Sequence, residues 1–430
     1  MSPSVNRRDF VSTAALAGAA AGVAVSTHQA VAQDQSRRPV VVGVMGMSRG
    51  RSLATGFAKL PNVEVAYCCD IDQDRAASAA AQVSQLGTIS KPKAIEDFRN
   101  MLDDPRVDAL VCAAPNHWHA PATIMACNAG KHVYVEKPCS HNPQEGEWMV
   151  EAARKHNRCV QMGSQRRSGA QTQQAIKKLH DGAIGKLYLS KAWYNNARGS
   201  IGTGKPAAVP ANQNYELWQG PAPRRDYVDN LVHYNWHWRW HWGNGELGNN
   251  GIHTLDLCRW GMDVEFPTRV TSSGGRYCYE DDQETPDTHS VAFEFNGDKQ
   301  ITWEGLSCHR HGGGFVAFYG TEGALILDSN GTHQIYDARD KLVEEVKGVS
   351  RGDTEHLANF VQAIRTKDHS ILNAEIEKGH RSTMLCHLGN ISHRTGRALN
   401  CNPTNGHILN DADAAKLWRR DYEKGWEPKV

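Results

Sequence analysis

The residues best placed to do chemistry begin at Gly43-Val44-Met45-Gly46-Met47-Ser48-Arg49-Gly50, a glycine-rich turn between an apolar run and a helix-like segment. It is a degraded GxGxxG fingerprint with Ser48 where the second glycine is expected. Between a strand and a helix, backbone N–H groups and the helix N-terminus can meet a pyrophosphate, and Ser48 keeps that approach open while offering a hydroxyl. Asp70 follows Gly46 by 24 positions, close to the spacing of a carboxylate that accepts hydrogen bonds from an adenosine ribose. A carboxylate there repels a 2′-phosphate, which favours NAD and leaves NADP open. The competing reading makes Asp70 or Asp72 a cap of the next helix. Lys137 ends a strand-like run at the edge of the sheet where ligands bind, although a lysine at a strand end is also commonly just exposed. The stretch His233-Tyr234-Asn235-Trp236-His237-Trp238-Arg239-Trp240-His241-Trp242 offers aromatic faces on which a sugar can stack, with one or two of its tryptophans at most expected to touch substrate and the rest in a core. His233, His237 and His241 are four apart, but no Cys or carboxylate joins them and the alternating Trp argues against a helix, so no metal is expected.

These residues need a scaffold. Pro39 to Met45 is an apolar run of strand length, followed by helix-like Leu53 to Lys59, strand Val63 to Cys69, helix Arg75 to Gln85, strand Ala109 to Ala114, helix Ala120 to Ala129 and strand His132 to Glu136. Strands alternating with helices at this spacing predict a doubly wound α/β domain over residues 38–163. Beyond Gly163 strand-like stretches dominate, with period-two alternation at Val291, Phe293 and Phe295 and apolar runs at Gly314 to Tyr319 and Ala324 to Leu327. Residues 164–430 are therefore expected to form an α/β domain around an open, largely antiparallel sheet. Two helical patterns, His356 to Arg365 and Glu375 to Asn390, close it.

At Ala113-Ala114-Pro115-Asn116-His117-Trp118-His119 and Val135-Glu136-Lys137-Pro138 the sequence resembles the Gfo/Idh/MocA oxidoreductases. The resemblance continues through Gln161 to Arg167, Trp218 to Pro223, Gly245 to Asp256 and Leu388 to Ile391. It implies a Rossmann domain, a second domain whose open sheet often forms the oligomer interface, and hydride transfer between NAD(P) and a hydroxyl of a sugar, cyclitol or related compound. Carried over by position, Lys137 and His253 are catalytic, with Asn249 completing the catalytic set, and Pro115, Asn116, His119, Glu136 and Lys137 line the cofactor together with Gly46, Ser48, Arg49 and Asp70. Arg167, Trp236, Asn249 and His253 fall on the substrate side. Chemistry supports these roles: oxidising a secondary alcohol removes the hydroxyl proton as hydride leaves the carbon, so a base and an oxygen-stabilising cation must lie together. Family members commonly carry Asp four residues before the histidine, whereas this chain has Asn249, which can hydrogen-bond a hydroxyl but supplies no charge. Asp256 either orients the His253 ring or serves as a structural cap.

The remaining features bound the setting. The chain has 430 residues, 40% hydrophobic and 22% charged, a globular composition with a formal charge of +1 that gives no reason to expect nucleic acid or an anionic membrane as partner. A small carbohydrate or glycoside fits better. Arg7-Arg8 precedes an uncharged Ala/Gly-rich run from Thr13 to Val25 and the small residues Ala30-Val31-Ala32, so residues 1–32 read as a twin-arginine signal and the protein as exported to the periplasm. A membrane helix would need a longer run, richer in Leu and Ile. Eleven cysteines without paired spacing read as buried thiols. Export into a compartment poor in nucleotide implies a tightly bound, recycled cofactor. A homo-oligomer, dimer or tetramer, is expected. Two other functions stay open, a redox-neutral NAD-dependent glycosidase or lyase and a secreted, non-catalytic sugar-binding protein.

Overall fold

Val40–Met45 forms β1, buried at every position, as a strand covered on both faces must be. The computed structural model describes residues 38–87 and 89–430, and the expected leader lies outside them. From β1 the chain runs through α1 (Arg49–Ala58), β2 (Val63–Cys69), α2 (Gln73–Ser84), β3 (Lys93–Ile95), β4 (Ala109–Cys112), α3 (Asn116–Asn128), β5 (His132–Val135), α4 (Pro143–Lys155) and β6 (Val160–Met162). The six strands pair in parallel in the order β3-β2-β1-β4-β5-β6, the doubly wound Rossmann order. That order reverses between β1 and β4, and a ligand crevice opens at the C-terminal ends of the strands there.

The second half adds α5 (Ala170–His180), β7 (Leu187–Ala197), α6 (Ile252–Met262), β8 (Arg269–Gly275), β9 (Thr288–Phe295), β10 (Lys299–Leu306), β11 (Cys308–His309), β12 (Val316–Gly320), β13 (Gly323–Leu327), β14 (His333–Asp337) and β15 (Leu342–Val346), then α7 (Asp353–Thr366), α8 (Ile376–Thr395), β16 (Leu399–Cys401) and β17 (Ile408–Leu409). Its strands form one sheet in the order β15-β14-β13-β12-β7-β10-β9-β8-β16-β17, with β11 on β7; only β7 and β10 pair in parallel. The alternation in β9 sends Val291, Phe293 and Phe295 into the core, where Val291 faces Trp303 and Phe293 faces Ile301 across β10. Truncating the fully buried Phe293 to Ala costs about 3–5 kcal/mol.

The division at Gly163 separates the sequence but not the packing. Leu357, Phe360 and Val361 of α7 join Leu53 and Phe57 of α1 and Val42 and Val44 of β1 in one apolar cluster, so a helix from the second half closes the parallel sheet. Elements missing from the sequence reading are β3, whose Lys93 and Ala94 are exposed, and α4, whose buried face is built largely of Gly146, Ala152 and Ala153. A signal for α4 was present: Asn142 accepts from the Glu145 N–H at 3.1 Å and Glu145 accepts from the His141 N–H at 2.8 Å, a reciprocal cap followed by Pro143. Two helices, α5 and α6, also lie where none was expected, so the second half is more helical than its texture implied.

Candidate active site

Gly46 turns the chain off β1 at φ +88°, and a Cβ there would lie 2.5 Å from the Ala113 carbonyl oxygen, so only glycine lets the loop pack on the end of β4. The Met47 N–H donates to Asp70 Oδ2 at 2.6 Å and the Asp72 N–H to Oδ1 at 2.9 Å, which pins the loop to the end of β2. Asp72, not Asp70, caps α2, accepting from Asp74 N and Arg75 N. Burial pushes Asp70 above the usual carboxylate range, against the Asp72 and Met47 amides and the charges of His233 and Arg75. Ser48 Oγ accepts from Arg75 Nη1 at 2.7 Å, and α1 begins with neither a side-chain cap nor an acid in its first turn. The Gly50 N–H donates to the Gly46 carbonyl at 3.1 Å, and the Arg49 amide ahead of it is left for an anion. A carboxylate oxygen that takes one amide still has a lone pair for a ribose hydroxyl. The loop, the uncapped helix end and Asp70 fit a dinucleotide.

These residues line one cavity of about 520 Å³ that also takes in Pro115, Asn116, His119, Glu136 and Lys137. Asn116 in the first turn of α3 donates from Nδ2 to Asn244 Oδ1 at 2.9 Å. The His119 ring lies between the Pro138 and Ala114 carbonyls, at 2.6 and 2.8 Å, and so struts the ends of β4 and β5 together. Burial pushes it toward the neutral form while the two carbonyls favour its charge. Glu136 accepts from Arg49 Nε at 3.2 Å and from the Lys137 N–H at 3.2 Å. A Cβ on Gly163 would stand 3.0 Å from the Glu136 carboxyl carbon, which gives that glycine its place in the motif.

At the other end Lys137 Nζ donates to the Asn249 carbonyl at 2.6 Å and to Asn249 Oδ1 at 3.1 Å. A π-helical turn over Leu247–Gly251 precedes α6, and His253, one residue into α6, lines the same cavity. Burial lowers the Lys137 pKa, opposed by Glu136 and Glu246. Burial, then Arg166, Lys137, Arg49 and Arg351, hold His253 well below the usual imidazole range, so its ring is neutral. Behind them Glu246, 3% exposed, pairs with Arg198 Nε at 2.7 Å.

Trp236 lines the cavity, stacked on His237 at 3.6 Å between centroids, whereas Trp238 is buried behind it against Arg198. His233, His237 and His241 do not converge: they face Asp72, the Tyr234 carbonyl and the Pro223 carbonyl. No group of metal-holding side chains occurs among the described residues.

Arg167 departs from its expected place. It makes a buried bidentate pair with Asp256, Nε to Oδ2 and Nη2 to Oδ1 both at 2.8 Å, and is not among the residues lining the cavity. Asp256 also accepts from Ser382 Oγ at 2.6 Å and therefore does not orient His253. The adjacent Arg166 lines the cavity instead, its pKa lowered to about 10 by burial and Arg351. Arg166, Arg351 and Asp353, which line the cavity, and Glu246, which lies behind Asn249, had no signal in spacing; only the fold brings them to the site.

Residues 37–164 match the NAD-binding Rossmann-fold domain, and residues 190–428 the C-terminal alpha/beta domain, of the GFO_IDH_MocA oxidoreductase family. The chain belongs to this family. Among curated relatives of the Gfo/Idh/MocA chain, a glycosyl hydrolase family 109 protein of Saccharopolyspora erythraea is 30% identical over 209 residues, 44% of this chain and 45% of that protein. An inositol 2-dehydrogenase/D-chiro-inositol 3-dehydrogenase of Lactiplantibacillus plantarum is 30% identical over 161 residues, 37% of this chain and 44% of that protein. The chain thus spans about half the length of these relatives. Two solved structures share the fold: levoglucosan dehydrogenase in complex with NADH and levoglucosan, at TM-score 0.66 and 19% identity over 84% of this chain and 99% of the other. The second is the aldose-aldose oxidoreductase of Caulobacter crescentus complexed with glycerol, at TM-score 0.65 and 19% identity over 84% and 100%.

Proposed function

We propose that this oxidoreductase transfers hydride between NAD and a secondary hydroxyl of a sugar, glycoside or cyclitol. The observation that carries the reading is the meeting of Lys137, Asn249 and His253 in the cavity that also holds Gly46 and Asp70. Asp70 and the loop amides hold the dinucleotide, which supplies a hydride acceptor or donor when bound. Asn249 occupies two of the three Nζ donor directions of Lys137, and the third is left for the substrate oxygen. As a neutral amine Lys137 takes the hydroxyl proton during oxidation; as an ammonium it stabilises developing negative charge on oxygen during reduction. The neutral His253 ring accepts from a neighbouring hydroxyl and fixes which carbon is presented. Trp236 supplies an apolar face for the ring of the sugar.

The glycosyl hydrolase family 109 names of three relatives favour a second reading, in which oxidation, elimination and re-reduction use one bound NAD and release an aglycone. The twin-arginine pattern supports export of a folded holoenzyme, and such an enzyme must retain its nucleotide. Retention for an hour needs a dissociation rate of about 10⁻⁴ s⁻¹, which at an association rate of about 10⁶ M⁻¹s⁻¹ corresponds to a Kd of about 0.1 nM. The test is to denature freshly purified protein, assay released nucleotide, and follow sugars and glycosides by product analysis and nicotinamide absorbance without added NAD. Reduced nicotinamide that accumulates with a ketose or lactone supports the dehydrogenase; aglycone release with no net absorbance change supports the second reading. Protein that emerges empty refutes retention, and protein that turns over none of the panel even with added NAD refutes both enzymatic readings.

A further inference from the structure

Nine of the eleven cysteines are buried; Cys308 is half-buried and Cys278 exposed. These two lie far apart in sequence but converge at one end of the large sheet. Gly275, the last residue of β8, pairs with Thr288 of β9, and Thr288 pairs on its other side with Leu306, the last residue of β10. Beyond those strand ends both chains close over Asp287. The Cys278 N–H donates to Asp287 Oδ2 at 3.1 Å, and the N–H of Ser307, next to Cys308, donates to the Asp287 carbonyl at 2.9 Å. The thiols of Cys278 and Cys308 are side-chain neighbours.

What this junction holds borders the cavity. The Glu284 N–H donates to the Trp238 carbonyl at 2.9 Å and Asp282 accepts from Arg239 at 2.9 Å, so the loop between β8 and β9 supports the segment that carries Trp236. On the other side Ser307 Oγ donates to Glu246 at 3.3 Å and its carbonyl accepts from the Arg198 N–H at 2.9 Å. We infer that Cys278 and Cys308 form a disulfide when the protein meets a thiol oxidant, stapling the loop after β8 to the strand end beside Glu246.

With a small disulfide such as oxidised glutathione as oxidant, the Cys278 thiolate attacks one glutathione sulfur and expels the other as a thiolate. The Cys308 thiolate then attacks the Cys278 sulfur and expels the second. Two protein thiols are oxidised to one disulfide, one glutathione disulfide is reduced to two thiols, and the two protons leave with them. The exposed Cys278 is the entry point; burial and its neighbour push Cys308 up to about 12, which makes it the poorer first nucleophile.

Full-length protein is reduced, incubated with oxidised glutathione, blocked with iodoacetamide and digested without reductant. The expected product is a peptide pair joined through Cys278 and Cys308, two hydrogens lighter than the free peptides, with both cysteines missing from the alkylated set. Cys308→Ser should stop at a glutathione adduct on Cys278. The oxidised wild type should melt about 5 °C above the reduced form, because the cross-link closes a long loop in the unfolded chain. A stable glutathione adduct on wild-type Cys278 with Cys308 still alkylated, or a cross-link through other cysteines, would overturn the pairing; equal melting temperatures would overturn the staple. The cross-link is read by mass, so the hydride-transfer reading stands or falls separately.

Discussion

At the nucleotide end of the cavity Gly46, Ser48 and Asp70 come from a single β-α-β unit, and each works through backbone geometry that neighbouring residues dictate. At the other end Lys137, Arg166, Trp236, Asn249, His253 and Arg351 arrive from separate elements of both halves of the chain. The first end is a local solution and the second a tertiary one. The difference makes two demands on substitutions: at the nucleotide end they should act on binding, and at the other end on chemistry without disturbing the nucleotide.

The largest effect should come from Lys137→Ala. Losing a positioned proton-transfer group lowers hydride transfer by about 10²–10⁴-fold. Nucleotide affinity, measured by fluorescence titration, should stay within a few-fold of wild type, since Gly46 and Asp70 are untouched. Turnover that survives within a few-fold removes Lys137 from the chemistry. Arg167→Ala sharpens the comparison from outside the cavity: leaving Asp256 buried and unpaired costs about 3–5 kcal/mol of stability. Chemical denaturation should show that loss, while the KM of whatever fraction folds stays near wild type. A selective rise in KM would restore Arg167 to the substrate side.

Gly46→Ala breaks the nucleotide end by itself. Forcing φ +88° on a residue whose Cβ would meet the Ala113 carbonyl costs about 1–3 kcal/mol in strain alone, so NAD affinity should fall about tenfold or more. Unchanged affinity in isothermal titration would show that the loop does not carry the phosphates. Asp70→Ala should weaken NAD by about tenfold and NADP by less, because the first loses ribose hydrogen bonds while the second also loses a repulsion. Both cofactors also lose the Met47 anchor, and an equal loss for the two would assign Asp70 to the loop alone.

The same contrast explains what could be read in the chain. The alternation of strands and helices, the open sheet and the glycine-rich loop were legible because they rest on local periodicity and backbone demands. Helix starts were not: α1 begins at Arg49 rather than Leu53, and α3 at Asn116 rather than Ala120. In both, the first turn faces the cavity, so its residues carry chemistry and break the apolar pattern that marks a helix. Roles for Lys137 and His253 came from resemblance, since nothing in spacing brings residue 137 to residue 249. Resemblance also misplaced one neighbour. Of Arg166 and Arg167, one faces the cavity and one is buried on Asp256, and only the fold decides which.

The smallest and most pointed test concerns Asn249, where the usual aspartate is missing. Its Oδ1 lies 3.1 Å from Lys137 Nζ, and an amide there leaves burial to lower the lysine pKa with only Glu136 and Glu246 in opposition. Asn249→Asp keeps the shape and adds a negative charge at that contact, which favours the ammonium and raises the Lys137 pKa. Oxidation needs the neutral amine as base, so its rate rises with pH through the Lys137 pKa, and in the variant that rise must move upward. At neutral pH the variant should oxidise more slowly and reduce the corresponding ketone faster, because reduction draws on the protonated form. The measurement is kcat/KM for oxidation against pH for both proteins, which reports the free enzyme. A displaced rising limb identifies Lys137 as the titrating base and accounts for Asn249 as a residue that keeps this lysine poised nearer to neutral. Superimposed limbs mean that the titrating group lies elsewhere, with the neutral His253 ring the nearest replacement.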